Sequence, residues 1–121
     1  QLIVRAVDPK RLLSGAKAES SAAIAERVMK AREIQIRRLA EEGIFCNAGM
    51  NSRMIEKYCP LNDEGTRLLE KIIENMGLSA RACHRIIRIA RTIADLEGAA
   101  DISCDHLLEA AGFRILDKVT P

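Results

Sequence analysis

Apolar residues recur at helical spacing between residues 79 and 98, and no other feature of the sequence restricts the fold as strongly. Successive apolar positions are 4, 3, 4 and 3 residues apart and consist of Ala82, Ile86, Ile89, Ile93 and Leu96. This spacing places them on one face of an α-helix. Ser79 can cap the first turn, and Gly98 can end the last. We therefore predict a helix from Ser79 to Glu97 that buries one face.

The same signals of helix start and stop predict four more helices. A serine, asparagine or aspartate precedes each stretch of periodic apolar residues, and a glycine or proline follows most of them. The predicted helices cover residues 20–42, 52–59, 62–76 and 103–116. Because the connections are short, the helices should pack as antiparallel neighbours. We predict an all-α bundle of about five helices.

The first predicted helix, residues 20–42, has an apolar stripe and charged flanks. The residues expected in the core are Ile24, Val28, Ala31, Ile34 and Leu39. The residues expected on solvated faces are Arg27, Lys30, Arg37, Arg38 and Glu41.

Composition agrees with a helical bundle. Aromatic residues make up 2% of the 121 residues, so the core must consist of Ile, Leu, Val, Ala and Met, which suits helices better than a β-sandwich. The net charge of +2 is too small to indicate a nucleic-acid partner by itself. No apolar run approaches the roughly 20 residues that span a bilayer. We expect no membrane partner and a cytoplasmic protein.

Residues 2–7 form a short β-branched run that Asp8 and Pro9 end. Apolar residues at both odd and even positions are typical of a strand buried on both faces. No other segment, however, offers this strand a partner. Since the chain begins with Gln1 rather than Met, we expect a fragment whose first strand belongs to an upstream sheet. We assign residues 1–19 to this strand and a linker, 20–116 to the helical domain and 117–121 to a tail.

A row of arginines follows the buried stripe one step around the helix of residues 79–98: Arg81, Arg85 and Arg88. Like charges one turn apart destabilise a helix by a few tenths of a kcal/mol, so an anionic partner is expected. Acidic side chains on neighbouring helices could supply it, for instance Glu70, Glu74 or Asp105. A phosphate is the other candidate, because guanidinium groups bind it with paired, charge-assisted hydrogen bonds. The spacing leaves both open.

Three blocks of the sequence, in order, resemble one family. Gly77-Leu78-Ser79-Ala80-Arg81, with Arg85, Arg88 and residues 90–98, resembles the sensor-2 helix of AAA+ ATPases. Residues 19–35 resemble the first helix of the C-terminal domain of these proteins, and residues 102–114 the last. Residues 2–7 resemble the last strand of the nucleotide-binding core. The resemblance is closest to magnesium-chelatase-like proteins of the ComM/YifB type and covers roughly residues 1–116.

This resemblance implies that the chain is the C-terminal lid of an AAA+ ATPase. ATP and Mg²⁺ would be bound mainly by the upstream core, so we expect no cofactor in the fragment itself. Carried onto this sequence, the sensor-2 arginine is Arg81, which would contact the ATP γ-phosphate in its own subunit or in a neighbouring one. Ser79 and Arg85 are secondary candidates for the same nucleotide, and Arg88 for an interface or DNA. The resemblance further implies a hexameric ring that processes DNA during competence.

The sequence excludes a phosphate-binding loop in this chain. Such a loop needs G-x-x-x-x-G-K-[ST], and none of the seven glycines is followed by lysine. The fragment should therefore not be catalytic, whereas a longer parent protein should be an ATPase. His106 with Glu109, and Cys83 with His84, each lack a third ligand, so we expect no metal site.

Two alternatives remain at the level of sequence. In a helical nucleic-acid-binding module, the three arginines of the row and Arg91 would lie along a phosphate backbone. Against it, Arg91 lies on a different face of the helix and stacking aromatic residues are absent. A simple protein-interaction bundle is the other alternative.

Overall fold

A computed structural model describes residues 19–119, with side chains described through residue 112. Within residues 19–119 every regular element is helical, which confirms the predicted all-α bundle. The helices are α1 (Ser21–Leu39), α2 (Ser52–Tyr58), α3 (Asp63–Met76), α4 (Ala80–Glu97) and α5 (Cys104–Val119), with 3₁₀ turns at Ala40–Glu42 and Asn47–Gly49. The strand expected at residues 2–7 lies outside the described residues.

The helix ends agree with the predicted capping residues. Ser20 Oγ accepts a hydrogen bond from the Ala23 N–H at 3.1 Å, and Ser79 Oγ accepts one from the Ala82 N–H at 3.1 Å. Asn62 caps α3 in the same way. The glycines that follow helices adopt positive φ angles, at Gly43, Gly77 and Gly98. The last helix is three residues longer than predicted, ending at Val119 rather than residue 116.

A histidine takes part in capping the N-terminus of α5. Ser103 Oγ accepts from the His106 N–H at 3.3 Å, and the Ser103 N–H donates to His106 Nδ1 at 2.9 Å. This is the reciprocal pattern of a capping box, with an imidazole in the place of the usual carboxylate or amide. Because Nδ1 accepts, Nε2 carries the proton and donates to the Glu97 carboxylate at 2.9 Å. The end of α4 is thereby attached to the beginning of α5.

The core lies around α4, which packs against α1, α2 and α5. Leu39, Ile86 and Leu107 are fully buried, and each such side chain contributes about 1.5–3 kcal/mol by leaving water. Of the predicted stripe on α4, four residues are buried or half-buried. Leu96 differs, since it is 36% exposed.

The stripe predicted on α1 is correct only in the second half of the helix. Ala31 and Leu39 are buried and Ile34 is half-buried, but Ile24 is 44% exposed and Val28 is 37% exposed. Periodicity indicates which residues share a face but not how far neighbouring helices cover that face. The side-chain bonds from α1 to the rest of the bundle come from its second half, and the first half keeps an exposed apolar surface.

Candidate functional site

The three arginines of the predicted row line one pocket along the first half of α4. They border a pocket of about 360 Å³, whose lining residues are Ser79, Arg81, Ala82, Arg85 and Arg88. Arg81 and Arg85 are exposed, and Arg88 is half-buried. One helical turn advances about 5.4 Å, so side chains spaced by three or four residues converge on the same volume. The structure therefore brings together all four residues selected from the sequence.

The first turn of α4 adds positive potential to this pocket. The first N–H groups of a helix have no partner within the helix, and the aligned peptide dipoles make that end electropositive. Ser79 Oγ accepts from Ala82, which satisfies one of these groups. Ser79 thus fixes the start of the helix, and its place on the pocket wall comes from this capping role.

Arg81 has no hydrogen bond or ion pair among the described residues. The acidic residues considered as its partners, Glu70, Glu74 and Asp105, do not pair with it within residues 19–112. Its guanidinium is exposed, directed to the pocket, and able to reach a group outside the bundle.

Arg88 is hydrogen-bonded to the loop that follows α1. Its Nη1 donates to the Met50 carbonyl oxygen at 3.3 Å, so the side chain attaches the loop after α1 to α4. Thr92 Oγ1 donates to the Arg88 carbonyl oxygen at 3.1 Å. Arg88 therefore combines a structural contact with a position on the pocket wall.

Asp95 lies in a buried network that could not be predicted from the sequence as a whole. Arg38 binds its carboxylate with both terminal nitrogens, at 2.9 and 2.6 Å, and Arg91 Nε reaches it at 3.2 Å. The assignment of Arg38 to a solvated face is therefore wrong: the side chain is turned inward because a buried carboxylate faces it. The spacing of four residues between Arg91 and Asp95 could have indicated their pairing, whereas nothing in the sequence indicates the partner on α1.

The side chain of Arg91 is buried inside the bundle. It is 3% exposed, and its terminal nitrogens donate to the carbonyl oxygens of Ala99 and Ala100 at 2.9 and 3.0 Å, just past the end of α4. These bonds satisfy carbonyl groups near the helix C-terminus. Arg91 is thus unable to lie along a nucleic-acid backbone, which removes one of the four arginines on which the nucleic-acid alternative depended.

Asn47 connects this network to the loop that follows α1. The side chain is 1% exposed, and its amide nitrogen donates to Thr92 Oγ1 and to Asp95 at 3.0 and 2.9 Å. Its Oδ1 accepts from Arg38 at 3.1 Å, and its backbone N–H donates to Gln35 Oε1 at 2.9 Å. The loop lacks apolar periodicity, so no sequence pattern indicates that Asn47 anchors it.

The cysteines are free thiols in different surroundings. Cys46 is exposed, and Cys59 is buried against Met50. Burial raises the pKa of Cys59 to about 11, although the positive charges of Arg91 and Arg38 act in the opposite direction. In the part of the chain that the structure describes, no three His, Cys, Asp or Glu side chains form a cluster that could hold a metal ion. None of the described helices has the length and apolar character to cross a membrane.

Comparison with known proteins gives a consistent set of relatives. The family described as "Magnesium chelatase, subunit ChlI C-terminal" matches residues 18–114. The chain is 46% identical over 106 residues to the competence protein ComM of Haemophilus influenzae, covering 88% of this chain and 20% of that protein. It is 42% identical over 113 residues to YifB of Salmonella typhimurium, covering 92% of this chain and 22% of that protein. The chain thus spans about a fifth of the length of these relatives.

Proposed function

Because the chain belongs to the magnesium chelatase ChlI C-terminal family, as a ComM/YifB-type member, we propose that it is the lid of an AAA+ ATPase and that Arg81 senses the ATP γ-phosphate. One observation carries the proposal. Arg81 lies exposed at the start of α4, on the wall of a pocket shared with two more arginines, and has no partner among the described residues.

The chemistry of the pocket suits a phosphate. A helix N-terminus supplies N–H groups and positive potential, and a guanidinium supplies a planar, permanently charged fork. A hydrogen bond to a charged group contributes about 1.5–3 kcal/mol. Arg85 borders the same pocket and adds to its positive charge. ATP and Mg²⁺ would be held mainly by a core domain outside this chain, with the lid closing over them.

Loss of the γ-phosphate would then release the lid and convert hydrolysis into rotation between domains. The Arg38–Asp95 pair supports this coupling, since it joins α1 to α4 so that movement of one helix moves the other. We place this movement in a homo-oligomeric ring, and we place the ring in DNA processing because a relative bears the name competence protein. Arg81 would act on the nucleotide of its own or of a neighbouring subunit, with the same physical role in either.

The proposal is tested by ATP turnover of the full-length protein. Arg81→Ala should reduce turnover at least about 100-fold, because arginines that act on the transferred phosphate contribute about 10³–10⁵ in rate. Arg67→Ala is the matched control, since Arg67 is an exposed arginine on α3 that is remote in sequence from the arginine pocket. Unchanged turnover in Arg81→Ala, with circular dichroism showing an intact fold, would remove the assignment.

A further inference from the structure

A second and larger cavity lies along α4. This groove, of about 760 Å³, follows one face of the helix from Arg85 to Glu97. The floor is apolar in the middle, where Ile89, Ile93 and Leu96 line it. Twelve residues of α-helix advance about 18 Å, which gives the length of the open face. The groove does not include Arg81.

The first helix and the last helix form the walls of this groove. Arg27 lies on the α1 side, and Glu109 lies on the α5 side. Ile24 is one turn before Arg27 and therefore on the same side of α1, and its side chain is 44% exposed. An apolar floor is thus accompanied by exposed apolar surface on the neighbouring helix.

Opposite charges mark the two ends of the groove. Arg85 and Arg88 lie towards the N-terminal end of α4, and Glu97 lies at its C-terminal end. Glu109 is close to Glu97, because it follows by one helical turn the His106 side chain that contacts Glu97. The Glu97 side chain is 60% exposed even though one of its oxygens accepts the hydrogen bond from His106. The two glutamates come from different helices, so the acidic end is built by packing rather than by a local run of charge.

We propose that this groove binds an amphipathic helix of about 12 residues from a partner protein, with acidic residues in its first turn and basic residues in its last. Such a helix has the length of the groove, and its apolar residues at spacings of three and four would contact the floor. Acidic residues at the N-terminus and basic residues at the C-terminus also stabilise a helix through its dipole. The charges that fit the groove are therefore the charges that favour the bound conformation, and they orient the partner parallel to α4.

A second copy of this chain does not supply such a helix through α1–α4. Neither α1 nor α2 has an acidic residue in its first turn, and α3 has no basic residue in its last. Helix α4 has neither. Helix α5 begins with Asp105, but its apolar residues Leu107, Ala110 and Ala111 are already buried within the bundle. Charge and burial together therefore favour a different sequence as the occupant.

The test uses two synthetic 14-residue peptides, both acetylated and amidated, with leucine along one face. The first carries Glu in the first turn and Lys in the last, and the second has Glu and Lys exchanged. Fluorescence anisotropy at low salt should show the first peptide binding the chain at least about tenfold more tightly than the second. Since exchanging the charges also lowers the helicity of the free peptide, the protein is varied as well.

Two pairs of protein variants, each with one change in the groove and one outside it, show whether the peptides bind in the groove. Glu109→Lys should weaken the first peptide at least about fivefold, whereas Glu74→Lys, on the exposed face of α3, should not. Leu96→Ser should weaken both peptides, whereas Leu108→Ser, an exposed leucine that does not line the groove, should leave them unchanged.

Three results would overturn the inference: binding of neither peptide at millimolar concentration, equal effects of Glu109→Lys and Glu74→Lys, or a dimer in sedimentation that Leu96→Ser dissociates. The last result would assign the groove to a second copy of the chain. The outcome is independent of the proposed phosphate sensor, because Arg81→Ala should leave peptide binding unchanged.

Discussion

Arg38 and Asp95 form a two-point ion pair across 57 residues of sequence, with nitrogen–oxygen distances of 2.9 and 2.6 Å. The Asp95 side chain is 1% exposed, so the pair joins α1 to α4 inside the bundle. Arg91 and Asn47 donate to the same carboxylate. One buried negative charge thus organises two arginines and the loop after α1.

Asp95→Asn should destabilise the chain by about 3–5 kcal/mol, because removing one partner of a buried ion pair leaves uncompensated charge behind. The measurement is urea denaturation followed by circular dichroism. Glu26→Gln is the control, since the Glu26–Lys30 pair on α1 is exposed and should contribute less than about 1 kcal/mol. Equal effects of the two substitutions would show that the Asp95 network contributes no more than a surface pair.

Asn47→Asp should weaken the attachment of the loop more than Asn47→Ala, although aspartate has nearly the same shape. The substitution replaces the amide that donates to Asp95 with a second buried carboxylate, and like charges in such a site repel strongly. Hydrogen exchange should show faster exchange of the Gly49 and Met50 amides, which bond within this loop. If Asn47→Asp exchanges more slowly than Asn47→Ala, the amide is not the group that fixes the loop.

The buried thiol of Cys59 should resist alkylation at pH 8, while the exposed Cys46 should be alkylated faster. Since burial raises the pKa of Cys59 to about 11, the folded chain disfavours the thiolate that reacts. Because the pKa of Cys59 is higher in the folded chain than in the unfolded chain, protonation of this thiol contributes to the free energy of unfolding. That contribution is fully present below about pH 9 and is lost as the pH rises towards 11. Iodoacetamide labelling with peptide mass spectrometry measures both rates. Equal rates at pH 8 would contradict the burial of Cys59.

Removing the imidazole at the start of α5 should cost about 1 kcal/mol or more, because His106→Ala loses the bond from the Ser103 N–H and the contact with Glu97. His106→Gln is the matched variant, since glutamine at this position forms a capping box without adding charge. Thermal unfolding should place Gln between His and Ala. A Gln variant no more stable than Ala would show that the reciprocal cap does not account for the effect.

The parts of this fold that depend on neighbouring residues in sequence could be predicted. Ser79, Asn62 and Gly77 act as caps in the structure because capping is a local interaction between a side chain or glycine and its own helix. Burial along α1 could not be predicted, because exposure of Ile24 depends on where other helices end. The partner of Asp95 was also hidden, since pairing across 57 residues leaves no local pattern.

The arginine pocket, too, could be predicted only in part from the sequence. Helical spacing was sufficient to bring Arg81, Arg85 and Arg88 together. The sequence did not distinguish their surroundings: Arg88 contacts Met50, whereas Arg81 has no partner among the described residues. The contact of Arg88 depends on how the loop after α1 packs, which helical spacing does not indicate.

The most direct test of this role is discrimination between nucleotides by the full-length protein. The ratio of the affinities for a non-hydrolysable ATP analogue and for ADP isolates the γ-phosphate from the remainder of the nucleotide. Loss of one charged hydrogen bond of about 1.5–3 kcal/mol predicts that Arg81→Ala lowers this ratio roughly 10- to 150-fold. An Arg81→Ala protein with the wild-type ratio would contradict the account.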